Sequence, residues 1–354
     1  MPCPAAWPRP RVPVLCLGFL LLLLVAPVQA KTVTDMDGLS VTVPDAPKRV
    51  YTLSPPDTLL VYAVAPCLLA GWNYPLPGTA APYLDPCVRG LPVLGGFFGQ
   101  AMTPNKESLV KAAPDIVVSG TMAKPHRGFE CFFADLHIPV VHIDSESPEE
   151  YAKDFRFLGE VLGHETRGEA LAAYAESTLA DLRQGLATIP ENKRLTVYYA
   201  EGGDGLYTDG RGSFHTLVLD LAGGLNVHPT PQSRRYGMDK VTLETVIGYA
   251  PQVILVQDAA CRDMILASPV WKTIPAVQQG RVYLIPDKPL NWFDRPPSFM
   301  RLLGLKWLAN ILYPETFPSD MVQETRTFMK LFLGKDLTDA EARALLDQKA
   351  VPKP

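Results

Sequence analysis

The sequence is poor in the residues from which local chemistry is usually built. Of 354 residues, six are cysteine and six histidine. No Cys-x-x-Cys pair occurs, which excludes a zinc knuckle, and no two histidines fall at His-x-His or His-x-x-x-His spacing. A phosphate loop is absent. Gly203-Asp204-Gly205-Leu206-Tyr207-Thr208 starts like a dinucleotide loop but lacks the third glycine. Ser213 and His215 are close in sequence, yet no Gly-x-Ser-x-Gly elbow surrounds the serine. There is no long basic block, no repeat array and no low-complexity tract, and the formal net charge is −4. That balance argues against nucleic acid as a partner.

A long apolar run is present at the start. Arg9 and Arg11 precede residues 12–25, and Val28-Gln29-Ala30 supplies the small residues of a cleavage site. Residues 1–30 therefore read as a secretory signal peptide, with an uncleaved anchor as the alternative, because the run is short for a membrane span. Cys16 lies inside the run, followed by Leu17-Gly18-Phe19, unlike a lipoprotein cysteine. The expected product is soluble and exported, and the remaining chain suffices for two domains of about 150 residues each. Cys67, Cys87, Cys131 and Cys261 then remain. Export permits a disulfide between Cys67 and Cys87, although four cysteines allow three connectivities that the sequence leaves open.

The chain divides around residues 147–190. Ser147-Pro148-Glu149-Glu150 and Thr166-Arg167-Gly168-Glu169 both have the form of a capping box. Each precedes an apolar stripe at helical spacing: Tyr151, Phe155, Leu158 and Leu162, then Leu171, Ala175, Leu179, Leu182 and Leu186. Gly163-His164 interrupts the pair, and the second helix is expected to reach about residue 187, roughly 30 Å long. Before this segment the pattern predicts a hairpin over 32–44, strands at 49–53, 68–72, 115–119 and 139–143, and helices at 55–65, 106–113 and 128–136. After it come strands at 195–200, 253–257 and 281–285. Helices are expected at 213–221, 242–250, 270–278, 301–312, 321–333 and 339–346, the last opened by a capping box at Thr338. Strands alternating with helices imply parallel sheets covered on both faces.

One stretch occurs twice. Lys106-Glu107-Ser108-Leu109-Val110-Lys111-Ala112-Ala113-Pro114 and the strand after it reappear as Leu243-Glu244-Thr245-Val246-Ile247-Gly248-Tyr249-Ala250-Pro251 and its strand. The copies flank the long helix, so the expected architecture is α/β. Two Rossmann-like lobes with mainly parallel sheets, over residues 31–146 and 191–354, are joined by a linking backbone helix over 147–190.

In this order the motifs resemble the helical-backbone class of periplasmic solute-binding proteins, which serve ABC importers of ferric siderophores, haem and cobalamin. The resemblance rests on Pro47-Lys48-Arg49-Val50 with Leu53-Ser54-Pro55, on Leu136-His137-Ile138-Pro139-Val140-Val141, and on residues 207–214 with Ala222-Gly223-Gly224-Leu225-Asn226. Trp271 to Val277 and Gly280-Arg281-Val282-Tyr283 complete it. It implies a monomeric periplasmic receptor, not an enzyme, that binds a small-molecule metal chelate between its lobes without a cofactor of its own. A ferric siderophore leads, with cobalamin or haem as the alternative. It also implies docking to an inner-membrane ABC permease through one acidic residue per lobe, at Glu107 and Glu244. The alternative for each glutamate is to complement a helix N-terminus, worth about 0.3–1 kcal/mol.

Ligand contacts are expected from loops that follow strands. Lobe one offers Trp72, Phe98, His126 and Arg127. Lobe two offers Tyr207, Arg211, Arg235, Tyr236, Trp292 and Arg295. Aromatic rings suit a bulky chelate, and arginine suits its carboxylate or catecholate oxygens. Packing is the alternative for Trp72 and the Phe97-Phe98 pair, a local salt bridge for Asp294-Arg295, and solvated surface for Arg234-Arg235. His126 and Tyr207 are weak candidates for direct ligation of a ferric centre. The rival from another class is a chelatase-like enzyme of similar two-lobed layout, which would need His126 or His215 as a base.

Overall fold

The computed structural model describes residues 29–97, 103–229 and 237–347, excepting the side chains of Met122, Pro125, His126 and Arg127. The expected signal peptide lies outside the described residues except for its last two positions. The chain begins with an antiparallel hairpin, β1 (Ala30–Thr34) and β2 (Ser40–Pro44), turned at Gly38 with φ +78°. In the first lobe β3 (Val50–Thr52), β4 (Ile116–Ser119) and β5 (Val140–His142) form a parallel sheet in that order, covered by α1 (Pro55–Val64), α2 (Lys106–Ala112) and α3 (Glu130–Asp135). Two helices follow, α4 (Tyr151–Leu162) and α5 (Glu165–Ala187).

The second lobe runs β6 (Thr196–Ala200), β7 (Tyr207–Thr208), α6 (Leu217–Leu221), β8 (Leu225–Asn226), β9 (Asp239–Lys240), α7 (Leu243–Tyr249), β10 (Val253–Val256), α8 (Ala259–Ala267), α9 (Pro275–Gln278) and β11 (Val282–Leu284). Its parallel sheet has the order β11-β10-β6-β8, and β7 pairs antiparallel with β9. Helices α10 (Met300–Leu312), α11 (Met321–Leu333) and α12 (Asp339–Leu346) close the chain. The fold is thus two Rossmann-like lobes joined by a long backbone helix.

Successive strand residues face opposite sides of each sheet, and here both sides are dry. Val50, Ile116 and Val118 face the largest apolar core, as do Val197 and Tyr199, whereas Tyr51 and Val117, and Tyr198 and Ile254, face two smaller clusters. The large core is therefore common to both lobes. It runs through α1, α4, α5, α10 and α11, where Phe328 stacks on Phe332 at 4.3 Å and Phe299 stacks on Phe332 at 5.3 Å. The rings of α11 also meet Tyr174 of α5.

The duplicated stretch is duplicated down to its dihedral angles. Asn105 accepts a hydrogen bond from Ser108 N at the start of α2, and Thr242 from Thr245 N at the start of α7. Both helices end on a left-handed alanine before proline, Ala113 and Ala250, each at φ +46°.

Other expectations move. The helix expected from Ser147 begins only at Tyr151, because Ser147 Oγ accepts from Glu149 N in a local turn. Thr166 is not a cap either: α5 starts one residue before it. Residues 68–72 contribute only isolated bridges, Val50 with Leu69 and Trp72 with Val93. The helix expected at 270–278 is divided at Ile274, because Pro275 can open a helix but not continue one. Helix α8, capped by Asp258, was not foreseen. The capping box at Thr338 and Glu341 forms in full, and so does the Cys67–Cys87 disulfide, with Cα atoms 5.5 Å apart.

The break at Gly163-His164 has a clear function. Gly163 at φ +72° turns the chain so that α4 lies antiparallel on α5, held by Arg156 to Glu169 and Glu176 and by Arg183 to Glu149. The backbones meet at Gly159 and Gly168, where a Cβ on Gly168 would sit 2.4 Å from Phe155 O and 3.0 Å from Gly159 Cα. One further contact closes the junction. Arg301, fully buried in the first turn of α10, donates from Nε to Phe293 O (2.8 Å), from Nη1 to Glu146 O (2.6 Å) and from Nη2 to Phe214 O (2.7 Å).

Alanine normally favours a helix over glycine by up to about 1 kcal/mol. Gly168→Ala should nevertheless lower stability, by roughly 1–3 kcal/mol, because the added methyl meets unyielding backbone. A urea midpoint equal to or above the parent's would refute this account of the α4–α5 contact.

Candidate functional site

Parallel strands deliver polar residues to their carboxyl ends, and in both lobes these ends carry buried carboxyls. In lobe one, Asp57 in the first turn of α1 accepts from Gly120 N (3.0 Å) just after β4 and from Ser145 Oγ (2.6 Å) beyond β5. It thereby ties the ends of all three strands together. Burial pushes its pKa up to about 6, against those hydrogen bonds. Next to Ser145 in sequence, Glu146 is half-buried. Burial and Asp144 raise its pKa, while Arg301, Lys124 and His215 act to lower it. The Glu146 main chain is held by lobe two's neighbour α10, its carbonyl accepting from Arg301 Nη1 at 2.6 Å.

In lobe two the strand ends hold a denser cluster. Glu201 follows β6, Gln257 follows β10, and Asp294 and Arg295 lie on the loop after β11. Arg295 donates to Glu201 Oε1 from Nε (3.0 Å) and Nη2 (2.7 Å), and to Asp209 Oδ2 from Nη2 (3.0 Å). It also lies 3.4 Å from Asp294 Oδ2, so the local salt bridge exists within a larger network. Its Nη1 faces His215 Nε2 at 3.5 Å. Asp294 in turn takes His215 Nδ1 (2.6 Å) and the Tyr199 hydroxyl (2.7 Å).

The three carboxyls are fully buried, whereas Arg295 keeps 30% of its side chain exposed. Burial works against the charge of Asp294, yet the His215 hydrogen bond and the Arg295 charge hold its pKa below the usual range. Burial and a hydrogen bond shared with Asp209 drive the pKa of Glu201 far up. At neutral pH Glu201 is therefore the protonated member. Arg295 is held by Glu201, Asp209 and Asp294, with its Nη1 beside His215.

Half-buried Phe214 lies against the His215 ring at 3.9 Å between centroids, and half-buried Tyr207 has Lys240 Nζ 5.7 Å from its ring centre. Phe214, His215, Asp294 and Arg295 are thus neighbours at the strand ends of lobe two.

Several expected contacts are elsewhere. Trp72 is corrected to a core residue: it is buried, its indole donates to Val88 O at 3.0 Å, and it packs on Tyr62. Trp292 is likewise corrected, being fully buried with its indole on Lys288 O at 2.9 Å. Arg211 is exposed but donates back to Asn226 O at 2.8 Å. Phe98, Arg235 and Tyr236 lie outside the described residues, as do the side chains of His126 and Arg127. Glu107 and Glu244 are exposed at matching positions in the first turns of α2 and α7.

Sequence reading missed Glu201, Asp209 and Glu146 as parts of the site. A carboxylate directly after a buried strand was the available signal for Glu201. No local metal site replaces the weak candidates. Among the described residues three potential ligand atoms converge only at Cys67, Asp85 and Cys87, and both thiols there are bound in the disulfide.

Comparison with known proteins agrees with this geometry. Residues 96–289 match the periplasmic binding protein family. An ABC transporter solute-binding protein from Sulfurospirillum deleyianum superposes with a TM-score of 0.84 at 34% identity, covering 90% of this chain and 99% of that one. The molybdate-binding protein MolA of Haemophilus influenzae is 28% identical over 62% of this chain and 66% of its own length. A vitamin B12-binding protein of Salmonella choleraesuis is 27% identical over 75% of this chain and 91% of its own.

A pH prediction follows from Glu201. Its folded pKa lies above the ordinary 4.5, so its contribution to stability is complete below that value and is lost as pH rises through about 9. Glu201→Gln keeps a neutral donor toward Asp209. The variant should lose less thermal stability than the parent between pH 7 and pH 10, and parallel curves of melting temperature against pH would contradict a protonated Glu201.

Proposed function

The chain belongs to the periplasmic binding protein family, and from that premise we propose that it is the solute-binding component of an ABC importer for an anionic, oxygen-rich metal complex. A ferric siderophore is the leading class. The protein acts in the periplasm after removal of residues 1–30, binds the complex between its lobes and hands it to a permease in the inner membrane, docking through Glu107 and Glu244. It needs no cofactor and performs no catalysis.

The observation that carries this reading is the Arg295–His215 pair. A guanidinium held rigid by buried carboxyls loses little freedom on binding and offers planar donors to carboxylate, catecholate or oxo groups. The corrinoid and haem readings need broad apolar platforms, and the two tryptophans that would have supplied them lie in the core. A metal oxyanion such as molybdate, the ligand in the name of MolA, shares the required surface chemistry.

Calorimetric titration of the mature protein with a ferric trihydroxamate, ferric citrate, molybdate, haemin and cyanocobalamin tests this. At least one of the oxygen-surfaced anions should bind. Arg295→Lys, which keeps the charge but loses the fork, should weaken that binding on the order of tenfold or more. Binding of cyanocobalamin or haemin alone would overturn the proposal.

A further inference from the structure

The two copies of the duplicated stretch differ at two of their exposed positions. Lys106 corresponds to Leu243, and Lys111 to Gly248. Where they agree, the fold usually explains it. Leu109 and Val246 are fully buried in their lobes. Ser108 and Thr245 complete the caps, and Ala113 and Ala250 are the left-handed helix ends. Two agreements remain. One is the pair Glu107 and Glu244. The other is Val110, 55% exposed, and Ile247, 37% exposed, both β-branched and apolar.

Each apolar residue lies three positions after its glutamate, so the two side chains share one face of a short helix. Exposed single aliphatic residues are ordinary on protein surfaces. Helix propensity gives no reason for β-branching there, since Val and Ile are poorer helix formers than Lys or Ala. A carboxylate with an aliphatic neighbour, presented once per lobe on backbones with the same dihedral angles, is a two-site surface with approximate two-fold character. It suits a partner that is itself two-fold symmetric and offers the same patch twice.

We infer that Val110 and Ile247 are the apolar halves of two equivalent docking points, each seated beside a cationic pocket of one subunit of the dimeric permease. This rests on the docking role proposed for Glu107 and Glu244. The carboxylates bring the partners together and set register, whereas the aliphatic contacts slow dissociation. The two contributions therefore differ in their response to salt, because ion pairing is screened and aliphatic burial is not.

The test measures binding of the full mature protein to the cognate permease dimer in lipid nanodiscs, at low and high salt. Val110→Ser with Ile247→Ser should weaken binding roughly tenfold or more at both salt concentrations, with ligand affinity and melting temperature retained. Glu107→Gln with Glu244→Gln should weaken it chiefly at low salt. If the serine pair binds like the parent while the glutamine pair is impaired, the apolar contact is refuted and acidic docking stands. If both pairs bind like the parent, the docking face itself is wrong. A changed sedimentation coefficient of the serine pair with unchanged permease binding would assign the face to self-association and equally overturn the inference.

Discussion

Arg301 is the contact on which the interlobe geometry depends. A buried guanidinium is costly unless its donors are met. Here they are met by main-chain oxygens of three segments distant in sequence: Glu146 at the end of lobe one, Phe214 in lobe two, and Phe293 on the loop that carries Arg295. Carbonyl partners fix the backbone itself rather than a side chain that could turn. The loops flanking the cleft are thus referenced to one point on α10. With a common apolar core below, this leaves little freedom for one lobe to swing against the other.

The site above that anchor obeys the opposite economy of charge. Glu201, Asp209 and Asp294 bring three acids into a dry region with one arginine and one histidine. Keeping Glu201 protonated reduces the imbalance, and Asp294, held in its ionised form, orients His215 and lies beside Arg295. Arg295 is therefore a positioned donor and not an uncompensated positive charge. Under the proposed function a ligand is recognised there through the shape and hydrogen bonding of its oxygens as well as through its charge.

Much of the architecture was legible because its causes are local. The alternation of buried strands and helices, Pro at the start of α1, and the two Ala-Pro helix ends all act within a few residues. The capping boxes at Ser147 and Thr166 failed for different reasons. Ser147 is taken up by a local turn on Glu149 N, whereas the turn at Gly163 lets α5 start before Thr166 is reached. The site was less legible. An aromatic residue after a strand can turn into the lobe or into the cleft, and pattern does not distinguish them; Trp72 and Trp292 turned inward. The partners of Arg295 lie 86 and 94 positions away in sequence, so no spacing rule reaches them.

The duplicated stretch shows how far a sequence echo can be pressed. Identical packing roles explain the matching buried residues, and identical backbone geometry explains the matching caps. What packing and geometry leave unexplained is then informative, because two lobes with different loops and different charges have no internal reason to present the same two exposed side chains. The strand ends differ, with a polar network around Asp57 in lobe one and an arginine-centred cluster in lobe two. The outward faces of α2 and α7 instead keep the symmetry of the repeat. A molecule with unlike strand ends and like outward helices fits the proposed division between two classes of partner, in which the second class carries the symmetry.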